Sequence, residues 1–107
     1  MSAPFVAGLR ARRDTLQLAP SGVPAITIRV ELPEVWDVVR VVVSPDAPVT
    51  TVKARALEAL MNGAEAREFV VKLHGWEILD ESVSLADAGV VDGSILLVTY
   101  RRRRAVR

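Results

Sequence analysis

The chain contains one histidine, His74, beside Gly75, and no cysteine. A zinc site needs several nitrogen, thiolate or carboxylate ligands converging on one ion. One imidazole with no thiol supplies no metal centre, and His74 reads as a turn residue. Without cysteine there is no thiol nucleophile and no disulfide. Asp80 and Glu81 are adjacent carboxylates, an arrangement of a solvated turn rather than of an acid and a base set across a substrate. Ser82, Ser84 and Ser94 fall in turn-like sequence, where hydroxyls serve chain reversal. Their spacing defines no Ser/His/Asp set, and no glycine-rich phosphate loop is present. The pattern is that of a non-enzyme, with no cofactor and no metal.

Charge is the more distinctive chemistry. The formal net charge of +1 conceals a segregation: Arg10, Arg12 and Arg13 lie near one end, and Arg101, Arg102, Arg103, Arg104 and Arg107 at the other. Basic ends on a near-neutral body can contact an acidic protein, nucleic acid or an anionic surface. They can equally be solvated tails. Dedicated nucleic-acid binders also carry a basic face on the folded body, and none is evident here, so an acidic protein partner ranks above nucleic acid, and a solvated tail above both. Only Lys53 and Lys72 of the fourteen basic residues are lysines. No apolar run reaches the roughly 20 residues of a membrane span. Arginines follow the short apolar stretch from Phe5 to Leu9, the reverse of a secretory signal. The expected location is cytoplasmic.

The elements that would position these groups form one domain of 107 residues with a thin core. Residues 1–24, punctuated by Pro4, Gly8, Pro20, Gly22 and Pro24, read as a flexible arm, although residues 10–18 allow a short strand or helical turn. The domain proper is expected over residues 25–101, and a basic tail over 102–107. Ile26, Ile28, Val30 and Leu32 alternate with polar residues as in a half-buried strand. Residues 35–43 are rich in valine and form its hairpin partner. Pro45 and Pro48 break that strand. Val49, Val52, Ala56, Leu57 and Leu60 then follow a helical period, with Lys53, Arg55 and Glu58 largely off the apolar face. Asn62-Gly63 ends the helix. Phe69–Leu73 is a further strand, Ile78-Leu79 a very short one, and residues 85–89 a single helical turn. The last strand, 94–100, has an apolar run suited to a central position covered in part on both faces. The fold class is α+β: a mixed sheet of four to five strands with one helix packed across it.

In this order the residues resemble the ubiquitin family. Val43-Ser44-Pro45-Asp46 leading into Val49-Thr50-Thr51-Val52-Lys53-Ala54-Arg55-Ala56-Leu57 is similar to that family's strand exit and helix start. Val71-Lys72-Leu73-His74-Gly75 with Ile78-Leu79-Asp80-Glu81 resembles its third strand, turn glycine and acidic stretch. Ser84 to Val90 and Gly93 to Val98 resemble its later turn and closing strand. The resemblance covers about residues 26–101 and implies a β-grasp domain, of a divergent, bacterial type.

Two departures bear on function. Conjugated members end in Gly-Gly, whereas Tyr100 is followed here by Arg101 to Arg104 and no such pair. The expectation is therefore a module that is not conjugated as written. The positions matching the family's aliphatic recognition patch are Lys72, Leu97 and Thr99, with Trp36 near the hairpin. Two of these are polar, so a differently shaped surface of Lys72, His74, Trp76, Leu97 and Thr99 is the expected partner site. The tail arginines form a second one. Of the tryptophans, Trp36 is read as covering an edge of the core, while Trp76 either covers an edge or anchors a partner. The function implied is a non-catalytic protein-interaction module, an adaptor or small subunit. The alternatives are a modifier of a bacterial conjugation-type system with an atypical C-terminus, and a nucleic-acid-associated protein using its arginines.

Overall fold

The computed structural model describes residues 15–101. It contains strands β1 (Thr15–Gln17), β2 (Ile26–Leu32), β3 (Asp37–Val43), β4 (Phe69–Leu73), β5 (Trp76–Glu77) and β6 (Ile95–Tyr100), with one α-helix, α1 (Val49–Leu60). The strands form a single sheet in the order β1-β3-β2-β6-β4-β5. β2 runs parallel to β6 and antiparallel to β3, while β4 is antiparallel to β6. Among the described residues this is a mixed sheet with one helix across it, as the residue pattern implies, but with six strands rather than four to five.

The added strand is β1, which lies within the stretch expected to be an arm. Leu16 and Leu18 alternate with polar neighbours and pack against the core. β1 pairs in parallel with β3, and the Leu18 and Ala19 amides donate to the Val42 carbonyl at 2.8 and 3.1 Å. Two leucines and a strand edge suffice to hold three residues. The short strand expected at Ile78-Leu79 is instead Trp76–Glu77, directly after the turn. Ile78 keeps one sheet bond, donating to the Val71 carbonyl at 2.8 Å, while Leu79 turns outward.

Strand alternation sorts the side chains cleanly. Ile28, Val30 and Leu32, then Val39, Val41 and Val43, then Leu96 and Val98 are all buried on the helix side. They meet Val49, Val52, Ala56, Leu57 and Leu60 of α1. Phe69 closes one end of this core and stacks on Tyr100 with ring centroids 4.5 Å apart. β6 is central, as its apolar run implies. Its outward residues, however, are not covered by another layer of the described residues: Leu97 is half-buried and Ile95 is 46% exposed.

The N-terminus of α1 has no side-chain cap. Its orphan amides are satisfied from the 80s loop: Val49 donates to the Val83 carbonyl and Thr50 to that of Glu81, at 3.0 and 2.9 Å. The same loop supplies an ion pair. Lys53, expected off the apolar face, is 3% exposed with its Nζ 2.9 Å from Glu81 Oε1. Glu81 is therefore not a freely solvated member of an acidic pair. Its neighbour Asp80 is: the Ser82 hydroxyl and amide both donate to it, holding its carboxyl below the ordinary value of 3.8.

Candidate functional site

The face of the sheet turned away from α1 carries the second parity of every strand. Register places Val38, Glu31, Leu97, Lys72 and Glu77 in one row across β3, β2, β6, β4 and β5. Thr99 lies two residues beyond Leu97 on the same face, opposite Val70. Three of the residues expected at a partner surface, Lys72, Leu97 and Thr99, thus share one face. The other two do not join them.

His74 and Gly75 are the central residues of the β4–β5 turn, with φ of 54° and 85°. Two positive φ values between the paired residues Leu73 and Trp76 make this a type I′ hairpin. Trp76 opposite Leu73 takes the helix-side parity rather than that of Lys72. It projects past the margin of the sheet and is 79% exposed. His74 and Trp76 therefore mark an edge, at the end where β6 begins.

At the opposite end, where β6 finishes, a 3-10 turn at Pro33–Val35 connects β2 to β3. Glu34 of this turn was not singled out by its sequence context. Its Oε2 accepts from the Thr99 hydroxyl at 2.9 Å and from the Tyr100 amide at 3.4 Å. The carboxylate ties the turn to the last strand, so Thr99 acts partly as an anchor for that turn. Trp36 follows, in the left-handed region at φ 54°, and is 93% exposed. It does not cover an edge of the core, contrary to expectation. The connection needs a residue past a 3-10 turn with positive φ, and the side chain there is carried clear of the body. Val35 and Val38 beside it are also exposed.

The arginine run begins inside the fold. The Arg101 amide donates to the Glu68 carbonyl at 2.8 Å, and its guanidinium donates to the carbonyls of Arg67 and Phe69 at 3.2 and 3.4 Å. It also lies 4.0 Å from the Glu77 carboxylate. Arg101 thus holds the start of β4 rather than extending into a tail. Arg102, Arg103 and Arg104 lie outside the described residues.

Among the described residues no group of three or more His, Asp or Glu side chains is placed to hold a metal. No helix among them is long and apolar enough to cross a membrane. The sheet thus has an exposed tryptophan near each end, Trp76 where β6 begins and Trp36 where it finishes.

No protein-family model and no curated protein matches the chain. Solved structures do. The ubiquitin-like domain of the Arabidopsis thaliana protein At2g32350 superposes with a TM-score of 0.64 at 20% identity, covering 83% of this chain and 92% of that one. Caldiarchaeum subterraneum ubiquitin gives 0.63 at 17% identity, covering 77% of this chain and 100% of its own. The C-terminal ubiquitin-like domain of mouse tubulin-specific chaperone e gives 0.62 at 18% identity, covering 82% and 98%. At these identities the likeness speaks for architecture alone. With the strand order and the crossing helix it leads to one conclusion: the chain has the ubiquitin-like β-grasp fold.

Proposed function

We propose that this chain is a non-catalytic protein-interaction module, an adaptor or small subunit of a larger assembly, that engages its partner through the outer sheet face. The observation that carries this reading is Trp36. A non-glycine residue in the left-handed region costs on the order of 1 kcal/mol. Glycine or asparagine would serve the connection at less cost. Yet the position holds the largest side chain, 93% exposed, and gains little from the fold in return. Glu34 fixes the turn that presents it. Tryptophan in a partner pocket is a typical interface anchor, with about 2 kcal/mol or more lost on truncation. Leu97 and Val38 supply apolar area in the row that also holds the half-buried Lys72 and Glu31, so the surface differs from an all-aliphatic patch.

The reading includes a cytoplasmic, bacterial setting, which the cysteine-free, arginine-rich composition supports. It also includes binding rather than covalent attachment. The test is photocrosslinking in the source cell, with a benzophenone side chain placed at position 97, at position 36, or at the helix positions 55 and 58. One discrete adduct from positions 36 and 97, weakened at 97 by Trp36→Ala, is the expected result. Equal adducts from the helix positions would remove the sheet face from consideration. An ATP-dependent adduct through the chain's own terminus would replace binding with conjugation.

A further inference from the structure

Midway along the outer face of the β2–β3 hairpin, two arginines stand directly opposite each other. Arg29 of β2 pairs with Arg40 of β3, and the same row continues to Thr15 on β1 and Ile95 on β6. The Arg29 amide donates away from β3, to the Ser94 carbonyl at 3.0 Å. Arg29 and Arg40 therefore form the non-hydrogen-bonded kind of antiparallel pair, in which side chains lie closest. Like charges in that position oppose each other and weaken the sheet. Both side chains are exposed, and neither guanidinium has a carboxylate within ion-pair distance among the described residues.

The pair lines an open pocket of about 470 Å³, shared with Thr27, Asp92, Gly93 and Ile95. Asp92 sits at its rim, but Oδ1 is engaged, accepting from the Thr27 amide at 2.8 Å. Ile95 presents an apolar wall. The pocket thus combines two planar guanidinium forks, one carboxylate and one aliphatic surface, with a residual charge of one positive unit. A carboxylate is matched by the forks bidentately, and one such group neutralises the lining. A phosphate dianion would meet Asp92 with more charge than the pocket balances.

We infer that Arg29 and Arg40 form a binding site for a glutamate or aspartate side chain on an acidic peptide segment of a partner protein. The inference deepens the proposed interaction role by giving the partner's chemistry, and it relocates the acidic contact from the terminal arginines to the folded face. An occupied site would relieve the opposed charges, so binding and stabilisation are coupled here.

The experiment is a two-dimensional amide NMR titration of the full chain with a peptide of glutamates flanked by leucines. The isosteric glutamine peptide and inorganic phosphate serve as the other two titrants. The glutamate peptide is expected to shift the amides of Thr27, Arg29, Arg40 and Ile95, with at least tenfold weaker binding in Arg40→Gln. Arg40→Gln is expected to remain folded and melt no lower than the parent, since it removes a repulsion. If it does unfold, Arg29→Gln carries the same test. Shifts confined to residues 101–107, equal binding of the glutamine peptide, or unchanged affinity in the variant each overturn the site. An equal response to phosphate would reassign it to a general anion site. None of these outcomes bears on crosslinking through Trp36, so the two readings fail separately.

Discussion

The two faces of the sheet obey different rules. Toward α1, the buried strand positions are apolar, and the one charge buried among the described residues, Lys53, meets Glu81 at 2.9 Å. On the outer face the charges lie in a row with Leu97 between Glu31 and Lys72, and Arg29 stands against Arg40 without a counterion among the described residues. A buried unpaired charge is too costly to persist, whereas an exposed one is screened by water. The helix side is therefore constrained by folding. The outer side is less constrained, and its opposed arginines, like the exposed Trp36 in the β2–β3 connection, depart most from what stability alone would choose.

The sharpest test of that contrast uses two adjacent leucines. Leu96→Ala is expected to destabilise the fold by about 2–5 kcal/mol, because Leu96 is fully buried and leaves a cavity. Leu97→Ala should cost about 1 kcal/mol or less on its half-buried face. Urea unfolding of both variants reads the difference, and equal losses would erase the distinction between the faces. Next in size is the ion pair. Glu81→Ala strands the Lys53 ammonium, and a loss of about 3 kcal/mol is expected, at the lower end for a buried pair because Glu81 is 20% exposed. Replacing both partners together, Lys53→Met with Glu81→Leu, should recover most of it. Failure to recover would show that the pair stabilises the fold beyond satisfying itself.

A change of opposite sign is expected at the hairpin. Trp36→Gly should raise stability by up to about 1 kcal/mol, since glycine takes φ 54° without strain, while weakening crosslinking at position 97. A loss of stability instead would mean that Trp36 packs in solution and is no anchor. The smallest effect belongs to Asp80. Its carboxyl titrates below the ordinary 3.8 because Ser82 donates to the charged form. The folded state thus favours the carboxylate. That contribution is complete above the unfolded value and disappears as pH falls through the lower folded one. Ser82→Ala should bring the Asp80 titration, followed by side-chain carboxyl NMR, back toward 3.8. An unmoved curve would point to another cause.

Much of the fold was readable because it rests on local periodicity. Alternation at Ile26 to Leu32, the proline break at Pro45 to Pro48 and the helical spacing from Val49 to Leu60 each state their element without reference to the rest. β1 was harder, since three residues with two leucines carry little pattern until β3 offers an edge. Trp76–Glu77 displaced Ile78-Leu79 for a similar reason: a type I′ turn at His74-Gly75 dictates which residues pair next, whatever their hydrophobicity.

The candidate site was legible only in part. Lys72, Leu97 and Thr99 share a face because strand parity puts them there, but His74 and Trp76 were separated from it by the turn. Arg101 was absorbed into the fold by the carbonyls at the start of β4. The order of amino acids by itself determined the element types, the core stripe and the absence of thiol and multi-histidine chemistry, since these follow from residue identity and spacing. Tertiary structure alone decided that Lys53 meets Glu81, that Glu34 holds the Trp36 turn against β6, and that Arg29 faces Arg40. Each of those depends on the exact register or proximity of paired segments, which the local pattern of residues does not encode.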